Sequence, residues 1–429
     1  MNVLYYYLIG FIIVWIVALL LKNKPYIDID GIMIMLKTDK LRNIINKIAN
    51  ISPNFWKRFL NLLMPLGVIL IVVMVWSVIY SLQIMFNQPT VSLILPGVDI
   101  PGSPIYIPFA TGLIALATVL IIHEGGHGVV AAAEKIDIDS VGLILLGIIP
   151  GAFVEPNEKQ LSEANSISKI RVFFAGPMAN VILCIIALVI SMGIGGFIAS
   201  EHIYTTDGME ISSVVSGSPA EGVLADGMVI KSINNKTTST TPEYMNALNG
   251  LHIGDRINIV TDKGEYNLTL SSSPSNSSKA YIGIRTKGHE IVTQQAKAKY
   301  GEVIPAVLPT LSEIFSLIYI LNFAVGTFNL LPMKPLDGGL ILEEVLNMRV
   351  TPQRRKEFND TLNKYTRIFP MAVRCWISRR FNSLLNVLAR YNLSEERAGT
   401  IMRMITTFFI VILIILIGYG TIPGILKML

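Results

Sequence analysis

Two histidines and a glutamate stand at metal-binding spacing in one short run, His123-Glu124-Gly125-Gly126-His127. On a helix, residues four apart lie on the same face about one turn from each other, so the two imidazoles can bind one Zn²⁺. The glutamate between them can reach a water on that metal and act as its acid/base. The run lies in an apolar stretch, where ionisable side chains are costly and usually functional. The alternative is structural, with both histidines hydrogen-bonded to neighbouring helices around a buried glutamate.

A third ligand is needed, because a catalytic zinc usually has three protein ligands and an open position. Glu155 and Glu158 follow too soon after the motif and lie in a predicted loop. Asp337 is the better candidate, because it stands before Gly338-Gly339 at the end of a later apolar segment. Two histidines, a carboxylate and a water make a catalytic zinc site. On its own, however, Asp337 could simply belong to a helix-ending turn.

The composition places these residues in a membrane protein. Of the 429 residues, 52% are apolar and only 15% are charged, and the mean hydropathy is +0.56. Soluble domains average about 25% charged residues, so a cytosolic globular enzyme is disfavoured. The net charge is +5, and Lys and Arg are sparse over most of the chain, which disfavours a nucleic-acid binder. No nucleotide-binding motif occurs. The two cysteines indicate no disulfide framework.

Six segments are apolar and long enough to cross a bilayer, which needs about 20 residues. In chain order they are Leu4–Leu21, Pro65–Met85, Pro108–Ala133, Val172–Ile198, Leu308–Leu331 and Met404–Leu426. Another apolar run, Val141–Pro150, is too short to span and contains glycines, which predicts a strand or a re-entrant hairpin. The expected fold is an α-helical polytopic membrane protein with about six transmembrane helices.

Basic residues are unevenly distributed among the loops and predict the orientation, because loops rich in Lys and Arg stay in the cytoplasm. They crowd the segment after the first span and the segment Arg349–Arg403, whereas the loop after the second span has Asp99 and no Lys or Arg. The N-terminus and the polar stretch 201–302 should therefore lie outside, with the metal site toward the cytoplasm. The basic segment mixes Arg with aromatic residues, which predicts amphipathic helices on the anionic inner leaflet or, alternatively, an adaptor site.

Residues 207–287 change character and predict a separate α+β domain. They are polar and rich in Ser, Thr, Asn and Gly. Strands are predicted at Glu210–Val215, Met228–Ile233, Arg256–Thr261, Tyr266–Leu270 and Tyr281–Arg285, with a loop at Ser271–Ser278. Ser218-Pro219-Ala220, followed by Asp226-Gly227, resembles the PDZ family. PDZ domains bind extended peptides at a sheet edge, so the resemblance implies contact with a peptide tail. A spacer role is the alternative.

Three motifs in one order resemble the site-2 protease family of intramembrane zinc metalloproteases. They are HExxH at His123–His127, G-P-x-x-N at Gly176–Asn180, and N-x-x-P-x-x-x-L-D-G from Asn329 to Gly338. A PDZ-like insert between the catalytic segments is also a family trait. Two spans precede the HExxH helix, as in the archaeal-type members. From the residues alone, G-P-x-x-N breaks a span and marks a packing partner of the catalytic helix.

The resemblance implies a site and a reaction. The ligands of one Zn²⁺ per chain would be His123, His127 and Asp337, with Glu124 as the catalytic acid/base. Asn329 would contact substrate or stabilise the oxyanion, or instead bond within its own turn. The reaction would be cleavage of a single-pass membrane protein inside its transmembrane segment, in the lipid bilayer, as in regulated intramembrane proteolysis. The rival functions are a catalytically dead PDZ-bearing scaffold and a metal transporter, which would need more polar residues along its spans.

The predicted organisation alternates membrane and polar parts. They are a first span with a basic cytoplasmic loop (1–65), a membrane domain with the HExxH helix, hairpin and GPxxN helix (66–200), the extracytoplasmic PDZ-like domain (201–302), a helix with the Asp337 motif (303–347), a basic cytoplasmic segment (348–403) and a last span (404–429).

Overall fold

The computed structural model describes residues 3–86, 96–98, 106–147, 149–273, 276–348, 370–390 and 394–428, with isolated positions between 355 and 366. Of the charges used for the orientation, Asp99, Arg349, Arg354 and Arg367 lie outside the described residues. The chain divides into two units. One combines Met1–Val189 with Glu313–Leu429, and the other is Ile190–Ser312.

Helices dominate the first unit and strands the second. From the N-terminus the elements are α1 Val3–Leu20, β1 Ile27–Asp30, β2 Met33–Lys37, α2 Asp39–Ile51, α3 Pro53–Ile84, α4 Phe109–Ala133, β3 Ile138–Leu146, β4 Ile149–Pro156, α5 Glu158–Glu163 and α6 Ser166–Ser200. Next come β5 Tyr204–Val214, β6 Val229–Ile233, β7 Lys236–Thr237, α7 Thr241–Leu248, β8 Arg256–Thr261, β9 Gly264–Thr269, β10 Ser271–Ser273, β11 Asn276–Tyr281, β12 Ile284–Val292 and α8 Gln294–Tyr300. The last are α9 Val303–Phe328, α10 Asp337–Asn347, α11 Met371–Arg390 and α12 Glu395–Met428.

Five helices among the described residues are long and apolar enough to cross a membrane. They are α3, α4, α6, α9 and the part of α12 from Glu395 to Ile422. The predicted first span forms α1, whose 18 residues reach about 27 Å at 1.5 Å per residue, slightly less than the hydrocarbon core. A count of six spans therefore depends on α1 and stays a prediction.

Several spanning helices begin well before the apolar segment that predicted them. The helix expected from Pro65 begins at Pro53, and the one expected from Val172 begins at Ser166. The reason is that hydropathy marks where lipid contact starts, whereas helical hydrogen bonding continues through polar residues. Proline suits the first turn of a helix, because the N–H that it lacks would have no intrahelical partner there.

A four-stranded antiparallel sheet in the order β1-β2-β3-β4 belongs to the first unit. The segment predicted to be a strand or hairpin forms most of β3 and the start of β4. Gly142 of β3 lies so close to the backbone of Leu36 in β2 that a Cβ would overlap its carbonyl. The strand β4 ends the order of the sheet and contacts α4.

The second unit contains an antiparallel sheet in the order β12-β5-β6-β8-β9, with β7 paired to β6. Its core is formed by buried aliphatic residues, such as Ile257 and Ile259 at alternate positions of β8. On β6 the register shifts between Ile230 and Ser232, and both Ile230 and Ile233 are buried. Four of the five predicted strands overlap β5, β6, β8 and β9.

The predicted loop at Ser271–Ser278 is wrong for its described residues, because β10 and β11 pair there, whereas Pro274 and Ser275 lie outside the described residues. The pairing relies on backbone hydrogen bonds between polar residues, so no apolar alternation marks it. The predicted strand Tyr281–Arg285 is divided as well. Tyr281 ends β11, and β12 begins at Ile284 and continues to Val292.

Candidate metal centre

The helix α4 places His123 and His127 one turn apart on the same face. Their rings meet edge to face with centroids 4.8 Å apart, and their Nε2 atoms lie 3.2 Å from each other. The helix ends just beyond, where Lys135 adopts a positive φ of 67°. The spacing alone therefore brings two imidazole nitrogens to one point inside an apolar helix.

Asp337 reaches the same point from the far end of the first unit. Its Oδ2 lies 3.2 Å from Nε2 of His123, and its Oδ1 lies 3.4 Å from Nε2 of His127. These three residues form a group that could hold a metal ion, with ligand atoms within 4.8 Å of one another. The structure thus brings together the three predicted ligands, although Asp337 is more than 200 residues from the two histidines in the chain.

The two glycines after Asp337 explain how the turn reaches the helix α4. A Cβ on Gly338 would overlap the carbonyl of Leu330, and one on Gly339 would overlap the backbone of Met333. The chain therefore folds back tightly on itself between α9 and α10, and the N–H of Gly338 donates to the carbonyl of Asn329 at 2.8 Å. A turn at this position is compatible with a ligand role for Asp337, because the turn orients the carboxylate toward His123 and His127.

The donor set fits zinc in type and spacing. Nitrogen and oxygen ligands with bonds of about 2.0 Å in a tetrahedral arrangement would lie about 3.3 Å from one another. The two Nε2 atoms lie 3.2 Å apart, and the nearest carboxylate oxygen lies 3.2 Å from His123 (Oδ2) and 3.4 Å from His127 (Oδ1). With one ligand atom from each residue, the three atoms lie within 4.8 Å of one another. Two neutral imidazoles and one carboxylate leave a fourth position for water, as catalytic zinc sites do.

The Nδ1 atoms of both histidines face the helix α6. Nδ1 of His127 lies 2.7 Å from the carbonyl oxygen of Val172, and Nδ1 of His123 lies 3.3 Å from the side-chain amide of Asn180. Both histidines are thus bonded to a neighbouring helix, as the structural alternative predicts. These contacts involve only the Nδ1 atoms. The Nε2 atoms of both rings lie next to Asp337.

Gly176 lets α6 approach the metal ligands. A Cβ at this position would overlap Nε2 and Cε1 of His127. The two helices pack closely there, since a Cβ on Gly126 of α4 would lie 2.7 Å from the carbonyl oxygen of Ala175. The packing role predicted for the G-P-x-x-N motif is therefore specific. Its glycine makes room for a ligand of the metal.

We expect Gly176→Ala to weaken zinc binding by about 10- to 100-fold, the range found when groups that orient metal ligands are changed. The added methyl group must push the ring of His127 away from Asp337. Zinc affinity of the purified protein, measured by competition with a chelator, checks this. Gly193→Ala is the matched control on the same helix, because nothing lies within 4 Å of a Cβ there. Equal zinc affinity in both variants would contradict the role given to Gly176.

The side chain of Glu124, which follows His123 on α4, reaches the sheet. Its Oε2 accepts a hydrogen bond of 3.0 Å from the N–H of Val154 in β4. It also lines an apolar cavity of about 580 Å³ formed by α2, α3, α4, α6 and the strands β2 to β4. Among the described residues that line this cavity, Glu124 is the one charged side chain. The predicted acid/base thus lies between the ligands of the metal and a space that can hold apolar side chains.

A buried ion cluster beside the site was missed by sequence reasoning. The carboxylate of Glu134 accepts from Arg171 at 2.6 Å and Ser168 at 2.7 Å, and it lies 3.3 Å from Nζ of Lys57. Burial alone would raise the pKa of Glu134, but the Ser168 hydroxyl and the two cations outweigh it and hold the pKa of this carboxyl below its usual range. The cluster ties the ends of α3, α4 and α6 together. Arg171 directly precedes Val172, so the cluster also fixes the carbonyl that His127 contacts.

The sequence contains only a weak signal for this cluster. Glu134 and Arg171 stand beside the ends of apolar segments, where charged residues are common. Their pairing depends on how α4 and α6 are rotated against each other, which a single sequence does not specify.

Asn329 lies in the turn that follows α9. Its side-chain amide donates to the carbonyl of Val325 at 3.0 Å, one helical turn back. This bond supports the alternative in which Asn329 stabilises its own turn. Contact with substrate stays a prediction.

Comparison with known proteins identifies the family. The sequence profile of Peptidase family M50 matches residues 111–373, which include all three motifs. An uncharacterized protein of Methanocaldococcus jannaschii is 26% identical over 77% of this chain and 82% of its own. A membrane-bound transcription factor site-2 protease homolog of Arabidopsis thaliana is 25% identical over 31% of this chain and 26% of its own. A candidate zinc metalloprotease of Clostridium perfringens is 23% identical over 60% of this chain and 92% of its own.

Solved structures similar to the chain include the PDZ domain of the SdrC-like protein of Listeria innocua. It is 24% identical, covers 19% of this chain and 97% of that one, and has a TM-score of 0.18. The resemblance of the motifs to the site-2 protease family is confirmed by the family match. Since that match extends over more than half of its residues, the chain belongs to Peptidase family M50 and is a membrane metalloprotease.

Proposed function

We propose that the protein is a zinc-dependent intramembrane endopeptidase that hydrolyses peptide bonds in the transmembrane segments of membrane proteins. One observation carries the proposal. The closest polar atoms of His123, His127 and Asp337 lie 3.2 to 3.4 Å from one another. Both histidines and Glu124 belong to α4, which is long and apolar enough to cross a bilayer. Neither a scaffold nor a transporter requires a general base next to three metal ligands.

The chemistry follows from the groups present. Zinc held by His123, His127 and Asp337 would polarise the scissile carbonyl and make its bound water more acidic. Glu124 takes the proton of the attacking water and passes it to the nitrogen of the leaving amine. Binding of zinc through Nε2 would leave Nδ1 of each histidine facing α6, where the carbonyl oxygen of Val172 lies 2.7 Å from His127 and the amide of Asn180 lies 3.3 Å from His123.

The strand β4 supports binding of the substrate as an extended strand. A helical peptide bond is hydrogen-bonded and shielded, so the substrate must unwind before it is cut. The N–H of Val154 points away from β3 and toward Glu124. Residues two apart on a strand face the same way, so the N–H and carbonyl of Ala152 also point to that edge. An extended peptide paired there would lie beside Glu124, with its side chains in the apolar cavity.

Ala152→Pro tests the strand pairing, because proline removes the N–H that would bind substrate. We expect KM to rise about 2- to 13-fold, the equivalent of one net hydrogen bond of 0.5–1.5 kcal/mol. Proline is tolerated on edge strands, so the sheet should persist. Ala152→Ser keeps the N–H and serves as the control in the same kinetic assay. An unchanged KM in the proline variant would rule out pairing at Ala152.

The proposed orientation places α11 and the metal site toward the cytoplasm and the second unit outside. It is supported by the basic residues between α1 and α3 and by the arginines of α11. A peptide tail bound at β12, the last strand of its sheet, stays a prediction.

Labelling of Cys375 tests this orientation, because Cys375 is exposed on α11 whereas Cys184, the other cysteine, is buried. We expect a membrane-impermeant maleimide to leave Cys375 unlabelled in intact cells and to label it in inverted vesicles. Cys375→Ser is the control for the specificity of labelling. Labelling of Cys375 in intact cells would reverse the orientation.

A further inference from the structure

One turn of α6 packs against the turn of α4 that carries the two histidines. His123 and His127 are four apart on α4, and Gly176 and Asn180 are four apart on α6. Gly176 lies against the ring of His127, and the amide of Asn180 lies 3.3 Å from Nδ1 of His123. The helix α6 therefore places Gly176 and the carbonyl of Val172 against His127, and Asn180 against His123.

The chemistry of the imidazole decides which amide atom must face His123. A neutral histidine that binds a metal through Nε2 carries its proton on Nδ1, so Nδ1 is a donor. In the structure the amide nitrogen of Asn180 faces Nδ1, and its Oδ1 is buried with no hydrogen-bond partner among the described residues. A half-turn of the amide exchanges the two atoms without changing its shape. Oδ1 then accepts the Nδ1 proton, and the donor meets an acceptor.

The position of Asn180 is closely packed and dry. The side chain is 0% exposed, and a buried amide is costly unless it is hydrogen-bonded. The helix α9 approaches it from the other side, because a Cβ on Gly326 would lie 3.0 Å from the Cβ of Asn180. Among the described residues, the hydrogen-bond partner of the Asn180 amide is the imidazole of His123. We therefore expect this buried amide to have a role that an apolar side chain could not fill.

We propose that Asn180 is a positioning residue for the metal: its side-chain oxygen accepts the Nδ1 proton of His123 and so presents the Nε2 lone pair to the site. Val172 does the same for His127 through its backbone carbonyl. The inference rests on the proposed function, since the metal concerned is the catalytic zinc. It extends that function by assigning the asparagine of the G-P-x-x-N motif to metal affinity rather than to helix packing.

The test measures zinc affinity and does not depend on peptidase activity. Full-length protein in detergent is stripped of metal and titrated with Zn²⁺ against a competing chromophoric chelator. Asn180→Leu and Asn180→Ala remove the acceptor, the first at similar volume and the second with a smaller side chain. Asn180→Asp keeps an oxygen acceptor, loses the amide NH₂ and replaces the neutral amide with a carboxyl group. Melting temperatures of the metal-free proteins show whether each variant is folded.

We expect zinc binding to weaken about 10- to 100-fold in Asn180→Leu and Asn180→Ala, as for other partners of ligating histidines, and to return close to wild type in Asn180→Asp. A packing role alone would give equal zinc affinity in the folded Leu variant and the wild type, which overturns the proposal. So does an Asp variant as weak as the Leu and Ala variants. Wild-type protein that binds no zinc overturns the proposed function as well. Wild-type protein that binds zinc but cuts no substrate affects the proposed function alone.

Discussion

Replacing Glu124 with glutamine is expected to lower kcat about 10²- to 10⁴-fold, the usual contribution of a general acid/base, while the protein keeps its metal. The amide is nearly the same shape as the carboxylate and can still accept the N–H of Val154, but it cannot take a proton from water. Zinc should stay bound, because the three proposed ligands are His123, His127 and Asp337. Cleavage rates of a single-pass reporter and the zinc content of each preparation check both parts.

Glu155→Gln is the matched control for this experiment. This variant likewise replaces a glutamate with glutamine, but Glu155 lies on β4, next to Val154. The carboxylate of Glu155 is exposed and accepts a hydrogen bond of 2.5 Å from the hydroxyl of Ser140. We expect its kcat to equal that of the wild type. A Glu124→Gln variant with wild-type kcat would remove Glu124 from the mechanism and favour a scaffold role. Loss of zinc in Glu124→Gln would instead place the carboxylate among the ligands.

Asp337→Asn is expected to abolish stable zinc binding, and with it hydrolysis. The neutral amide is a poor ligand, so two histidines would remain where a catalytic zinc needs three protein ligands. The helix α10 should persist, because asparagine is accepted near helix N-termini. Elemental analysis after dialysis should find about one zinc per chain in the wild type and far less in the variant.

Glu343→Gln provides the comparison on the same helix. Its carboxylate pairs with Lys334 at 2.6 Å and is not part of the ligand group. We expect this variant to keep its zinc. If Asp337→Asn also retained a full complement of zinc, the assignment of the third ligand would be wrong, and the tight turn at Gly338 would be explained by folding alone.

The convergence of His123 and His127 could be predicted from the sequence, because it depends only on local helix geometry. Asp337 could be predicted as a candidate from its chemistry, and the family resemblance singled it out. Its position beside the histidines depends on a turn in which glycines pass close to the backbone of Leu330 and Met333. No pattern of residues specifies that contact.

The groups behind the ligands could not be predicted in the same way. The contact of Asn180 with His123 and the ion pair of Glu134 with Arg171 depend on the relative rotation and depth of α4 and α6. A single sequence shows that G-P-x-x-N interrupts an apolar helix, but not which histidine each of its residues meets. The helix bounds show a related limit, since apolar composition predicted the span from Pro65 whereas the helix begins at Pro53.

The position of the cut tests the proposed function most directly. Wild-type protein and Glu124→Gln are reconstituted separately into liposomes with a single-pass substrate, and the products are identified by mass spectrometry. We predict that wild type cuts inside the apolar segment of the substrate and that Glu124→Gln leaves it intact. Cleavage confined to residues outside that segment, or equal cleavage by both proteins, would contradict an intramembrane zinc endopeptidase.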